Sequence, residues 1–279
     1  MPLGICGLCR KPNVELHDSR FLPAGLHRLA RDEERVNPNP VLVNEEVSLA
    51  SSEQAKAHFL CVDCERRFNE NGEDWILKNC WHNETEFPLR SLLLGAAPSP
   101  LSSEGFTMYG AASIPGVEPN KIAYFGSSIF WRGTARDWLF MRRKPKRLEL
   151  GPYGEQLRRY LLGHAPFPDD AVLVVVVSSG MEPMRNRVIV FPFLKSRQAA
   201  FRQYRFTVPG LTYQLFVAKA LPKDLRRLCT VRSSSRYVLM VPDADATNME
   251  DMAAVVAKTR KVGSLAKPNP RRVIGGPGS

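Results

Sequence analysis

Two cysteine pairs, Cys6-x-x-Cys9 and Cys61-x-x-Cys64, constrain this 279-residue chain more than any other feature. Each pair presents two thiols from one tight turn, and two such knuckles complete a tetrahedral site for a structural zinc ion. A redox-active pair would instead stand alone beside a βαβ pattern. The 51 residues between Cys9 and Cys61 are too many for a bare ribbon, so a further segment must be inserted between the knuckles. Only six cysteines occur in the chain, too few for a disulfide framework, and two pairs kept available for metal point to a reducing compartment, the cytoplasm. Cys80, His82 and His58 are expected to be core or surface residues, because four thiolates already close the site, and Cys229 is expected to be a buried apolar cysteine.

The formal charge of +11 and a pI near 9.6 predict attraction to polyanions, nucleic acid first. No window approaches the roughly 18 apolar residues of a membrane span, and MPLGICGLC has neither a basic nor an apolar leader region. The expectation is a soluble protein without membrane contact.

Composition divides the chain into four parts. Residues 1–94 hold the cysteine pairs, with 31–58 expected to be mostly a surface insertion carrying a short strand at Val41 to Val43. Residues 95–119 are rich in Gly, Ala, Pro and Ser and read as a linker or irregular crossing. Residues 120–263 read as an α+β domain with a mostly antiparallel sheet. It opens on a central helix from about Asn120, apolar nearly all round, in which Arg132, Arg136 and Asp137 are unusual and best explained by a buried ion pair. A shorter helix over 151–164 follows, then strands near 171–179, 185–194, 203–209, 211–220 and 235–242, and an amphipathic helix over 248–263. The run Ala171 to Val177 shows no alternation, which places it centrally in the sheet. Residues 264–279 form a basic, Pro/Gly-rich tail. The run RRKPKR, with Arg142, Arg143, Lys144, Lys146 and Arg147, is expected on an exposed loop and is a candidate nucleic-acid contact, because Pro145 prevents a regular helix there.

The order CGLC, ELHDSRFLPAGLHR, FLCVDCERRFNENGEDW resembles the zinc-ribbon variety of HNH endonucleases, in particular a bacterial group with a Ser-His-Ile-Ile-Pro motif and Cys-Glu at the second knuckle. The stretch IAYFGSSIFWRGTA is similar to a segment of the same group. The likeness covers residues 1 to about 90, and 120–136 more loosely. It implies a four-cysteine zinc-ribbon, HNH-like ββα module ahead of the α+β domain, and a bacterial setting of mobile elements or phage defence.

In active members a histidine ending the first strand activates water, while neighbouring ligands hold one divalent metal against the phosphate. Here Ser19 stands at the metal-ligand position and Arg20 at the base position, and arginine cannot accept a proton at neutral pH. Glu65 follows the second knuckle, where asparagine or histidine is usual in the group. Three readings stay open. In the first, the chain binds nucleic acid, DNA rather than RNA, without cutting it, with Arg20 on a phosphate, as a recognition or accessory subunit beside a protein effector. In the second it is an endonuclease with displaced groups, His17 as base and Asp18 and Glu65 as ligands for Mg or Mn, which needs a bulged strand at His17. In the third it is an assembly subunit with purely structural zinc.

Overall fold

The computed structural model describes residues 1–34, 36–103, 105–138, 147–198, 200–231, 237–241 and 259–265, without the side chains of residues 184, 185 and 239–241. From the N-terminus run β1 (Leu3–Gly4), β2 (Val14–Glu15), β3 (His17–Arg20), α1 (Ala24–Leu29), β4 (Val41–Val43), β5 (Val47–Ala50) and β6 (Lys56–Leu60). A helical stretch in three parts follows: α2 (Val62–Phe68), a π-helical turn (Asn69–Glu73) and α3 (Asp74–Asn79). Next come α4 (Pro88–Leu94), β7 (Thr107–Gly110), α5 (Pro119–Ala135), α6 (Pro152–Leu161), β8 (Ala171–Ser178), α7 (Pro183–Asn186) and β9 (Val188–Arg197). The remaining elements are β10 (Arg202–Val208), β11 (Leu211–Val217), α8 (Lys223–Arg227), β12 (Tyr237–Val241) and β13 (Arg260–Val262).

The fold is mixed α+β. Its main sheet has the order β13-β5-β4-β9-β10-β11-β8-β12-β7 and is mostly antiparallel, with β4–β9, β8–β12 and β5–β13 parallel. Every residue of β8 from Ala171 to Val177 is buried, because the strand has a hydrogen-bonded neighbour on each side and packed side chains on both faces.

The segment between the knuckles differs from the expected surface insertion. Its β4 pairs with β9 and its β5 with β13, burying Leu42, Val43, Val47 and Ser48. The alternation of apolar residues over 41–50 is too short to announce that much burial; the parallel neighbour supplies it. β7, in the 95–119 stretch, is the opposite edge strand. One sheet therefore takes strands from residues 41–50, 107–110 and 171–262. The helix expected over 248–263 lies mostly outside the described residues, and where description resumes, Arg260 to Val262 form β13 instead. Of the basic tail, Ser264 and Leu265 belong to a short helical turn and the rest lies outside the described residues.

α5 is the central helix, and its packing explains its apolar circumference. On one side Phe125 and Phe130 meet Phe206 and Tyr213 of the sheet edge to face, and a Cβ at Gly126 would come within 2.5 Å of the Tyr213 ring. On the other side Trp131 stacks on Phe59 of β6 and meets Phe68 of α2, and a Cβ at Gly72 would lie 2.9 Å from the Phe125 nitrogen. Gly126 lets the Tyr213 ring lie directly on the α5 backbone, and Gly72 lets the π-helical turn meet α5 backbone to backbone. The helix starts with Glu118 at the N-cap and Pro119 in its first turn, two residues ahead of the expected Asn120 cap, and stops where Arg136 turns extended.

Candidate metal centre

β1 and β2 form a two-residue ribbon that leads into the first knuckle, and β3 and β6 form an antiparallel pair that leads into the second. In the first turn the Arg10 amide donates to the Cys6 carbonyl at 2.9 Å, and Arg10 takes the left-handed conformation, φ 62°. In the second, the Cys64 amide donates to the Cys61 carbonyl at 3.1 Å as α2 begins. The Cys61 amide also donates to the Cys6 sulfur at 3.4 Å, which ties the two turns together.

All four ligand sulfurs lie within 4.8 Å of one another, close enough to hold a metal ion and consistent with a zinc ribbon. Cys9 Sγ and Cys61 Sγ are 3.9 Å apart. Tetrahedral zinc with bonds of about 2.3 Å sets its sulfurs roughly 3.8 Å apart, so the cage has the size zinc requires. The acid–base chemistry agrees. A hydrogen bond from the Cys64 thiol draws Cys6 down to about 4, while that same contact and burial push Cys64 up, and burial pushes Cys61 up. Four clustered thiols cannot all ionise alone, and a dication is what makes them all thiolate. Cys80 and Cys229 are buried away from the cage, with burial pushing the Cys80 thiol up to about 12.

The knuckle is also held from outside. Arg158 of α6 donates to the Leu8 carbonyl at 2.6 Å and forks onto Glu155, which also meets Arg10.

The other sequence-predicted residues are dispersed around the β3–β6 pair. The pairing register shifts between His17 and Asp18, so the strand is bulged where a displaced base would need it. His17 is half-buried; Asp18 is exposed and faces Lys56 at 3.4 Å. Ser19 is buried and its hydroxyl accepts the Leu60 amide at 3.1 Å. Arg20 lies on the opposite, exposed face, with Nε donating to Gln54 at 2.7 Å. Glu65 is half-buried on α2, and its Oε1 is enclosed without a hydrogen-bond partner among the described residues. His17, Asp18 and Glu65 do not gather into a ligand group; among the described residues the four cysteines are the one set of three or more His, Cys, Asp or Glu side chains that does. Arg147 is exposed and pairs with Asp137 at 2.7 Å, whereas Arg142, Arg143, Lys144 and Lys146 lie outside the described residues.

Two buried polar groups near this pair, Glu73 and His27, carry no signal in the sequence. Arg132, 1% exposed, pairs with Glu73 at 2.6 Å, donates to the Phe21 carbonyl at 3.1 Å and lies over the Phe68 ring. It thus ties the end of β3, the end of α2 and the π-helical turn to α5. Burial pushes the Glu73 carboxyl up, against the pull of Arg132. The pattern of α5 leads to an ion pair at Arg132, but the partner lies 59 residues away and nothing local points to it. His27 of α1 is 5% exposed, and burial, then the nearby charge of Arg20, hold it down to about 4.

No protein-family model matches this chain, and no curated protein and no solved structure matches it. The likeness to HNH endonucleases rests on the quoted residues alone. Among the described residues no helix is long and apolar enough to cross a membrane.

Proposed function

We propose that this chain is a zinc-ribbon protein of HNH ancestry that binds nucleic acid, DNA rather than RNA, and leaves it intact. The observation that carries this reading is the make-up of the β3–α2 region. Its buried cation is Arg132, already neutralised by Glu73, and its ligand-type side chains do not converge. A hydrolytic site needs a base and a metal on one phosphate; Ser19 is turned inward and Arg20 can only donate. Structural zinc on Cys6, Cys9, Cys61 and Cys64 holds the scaffold, and a recognition or accessory role beside an effector protein, as in phage defence, follows from a binder that does not cut.

Supercoiled plasmid incubated with the protein and Mg or Mn tests this. A mobility shift without nicking is expected. The bulge at His17 favours one competing reading, the displaced-base enzyme. Nicking that His17→Ala abolishes would establish that enzyme and overturn the proposal.

A further inference from the structure

We infer that the nucleic acid is double-stranded and is held by its phosphate backbone along a basic track on the outer face of the β3–β6 pair that continues to the β9–β10 hairpin. This deepens the binding reading above and rests on it. The track can be followed from residue to residue. Arg20 and Lys56 are directly opposed in the β3–β6 register, both exposed. Two residues beyond Lys56 the track passes the strand edge, where the His58 carbonyl accepts Arg136 Nη1 at 3.0 Å and the guanidinium lies over the Phe59 and Trp138 rings. Burial, and then the positive charge of Arg147, depresses Arg136, while Asp137 pairs with Arg147. Two residues further, Glu149 meets Arg197 at 4.0 Å, and its carbonyl accepts Arg202 at 3.4 Å. Arg197 and Arg202 are again directly opposed, now across β9 and β10.

Like charges placed opposite one another on a strand pair are destabilising. The track contains two such pairs, Arg20 with Lys56 and Arg197 with Arg202, and the acids along it, Asp18, Asp137 and Glu149, are fewer than its bases. A polyanion relieves that repulsion. The choice of duplex comes from the kind of side chain the surface offers. Single strands are bound by stacking bases on exposed aromatic rings, and among the described residues none of the exposed large hydrophobic side chains is Phe, Tyr or Trp. A surface that offers exposed guanidinium and ammonium groups while its rings, such as Phe193 and Phe201, are partly covered contacts phosphate and reads no base.

The test uses fluorescence anisotropy with a labelled duplex of about 24 base pairs, roughly two helical turns, and one of its single strands, across roughly 50 to 200 mM salt. The full chain is compared with Arg20→Gln/Lys56→Gln/Arg147→Gln/Arg197→Gln and with a control, Lys223→Gln/Arg227→Gln, which removes exposed charge from α8 outside the track. Circular dichroism confirms folding, and single Arg20→Gln and Arg197→Gln variants are read alongside. The wild type should bind the duplex more tightly than the strand. The fourfold variant should flatten the slope of log K against log salt by about 3 to 4, near 0.9 for each phosphate no longer neutralised, and each single variant by about 1. The control should leave the slope nearly unchanged. Wild-type binding with an unaltered slope in the folded track variants, or tighter binding of the single strand, overturns this inference and leaves the binding function standing. Absence of salt-dependent binding by the wild type to either probe overturns the function itself.

Discussion

Arg132→Met removes the charge that holds β3, α2 and the π-helical turn against α5 while keeping the volume of an unbranched side chain. Glu73 is then left buried without its cation, and breaking a buried pair from one side costs about 3 to 5 kcal/mol. Removing the hydrogen bond to the Phe21 carbonyl and the guanidinium over the Phe68 ring acts in the same direction. Against a typical total of about 5 to 15 kcal/mol, this should move a denaturation midpoint far beyond experimental scatter. The sign with pH is fixed by Glu73. Its carboxyl already lies above the usual carboxylate range through burial, and losing Arg132 raises it further. The folded variant therefore binds a proton more readily than its unfolded chain, and its deficit relative to wild type should shrink as pH falls from about 7 to 5. Pairing the change with Glu73→Leu removes both charges and should recover most of the loss. Urea unfolding of wild type, both single variants and the double variant at both pH values is the assay. A deficit below about 1 kcal/mol for Arg132→Met, or no recovery in the double variant, would refute the argument.

The same packing makes three other residues informative. His27 is depressed to about 4 by burial and by Arg20, so the unfolded chain takes up its proton first; stability should fall as pH drops from about 6.5 towards 4, by up to roughly 3 kcal/mol at about 1.36 kcal/mol per pH unit, and His27→Leu should flatten that window in thermal melts. Gly72→Ala should destabilise by about 1 to 3 kcal/mol despite alanine's better helix propensity, since its Cβ meets the backbone of α5, and an unchanged midpoint would disprove the close approach. Metal analysis should find one zinc per chain, and Cys61→Ser or chelation should speed amide exchange at residues 3–16 and 60–66 while β8, β10 and β11 stay protected, an outcome that uniform exchange along the chain would contradict.

The cysteine cage was legible because four thiols at two fixed spacings admit few other uses, and β8 because an unbroken β-branched run has to be buried on both faces. α5 announced itself as central by being apolar all round, and Arg132 by being charged within it. What the sequence hid is long-range. Glu73 looks like one acid among several in NENGED, and only the π-helical turn and the approach of α5 single it out. The pairing of β4 with β9 joins segments almost 150 residues apart, which no local period can report. The two like-charge pairs became visible only as strand register.

The chain's route explains why the sheet keeps its order independently of the knuckle. After β3 it leaves the ribbon, crosses to the far part of the main sheet to form β4 and β5, and returns as β6 to deliver the second knuckle. In a bare ribbon the metal alone closes the intervening loop and bears its entropy cost, which grows with loop length. Here β3–β6 pairing and the β4–β9 pairing close the same loop independently. A metal bound there would therefore add mainly to the order of the turns themselves, the links from Arg10 and Leu8 to α6 included, and the outer faces of β3 and β6 keep their geometry through Ser19, Phe59 and Trp131 on the inner side. A surface supported in that way can hold Arg20 and Lys56 opposed, against their repulsion, because the strands beneath them are fixed by core packing rather than by their own pairing energy.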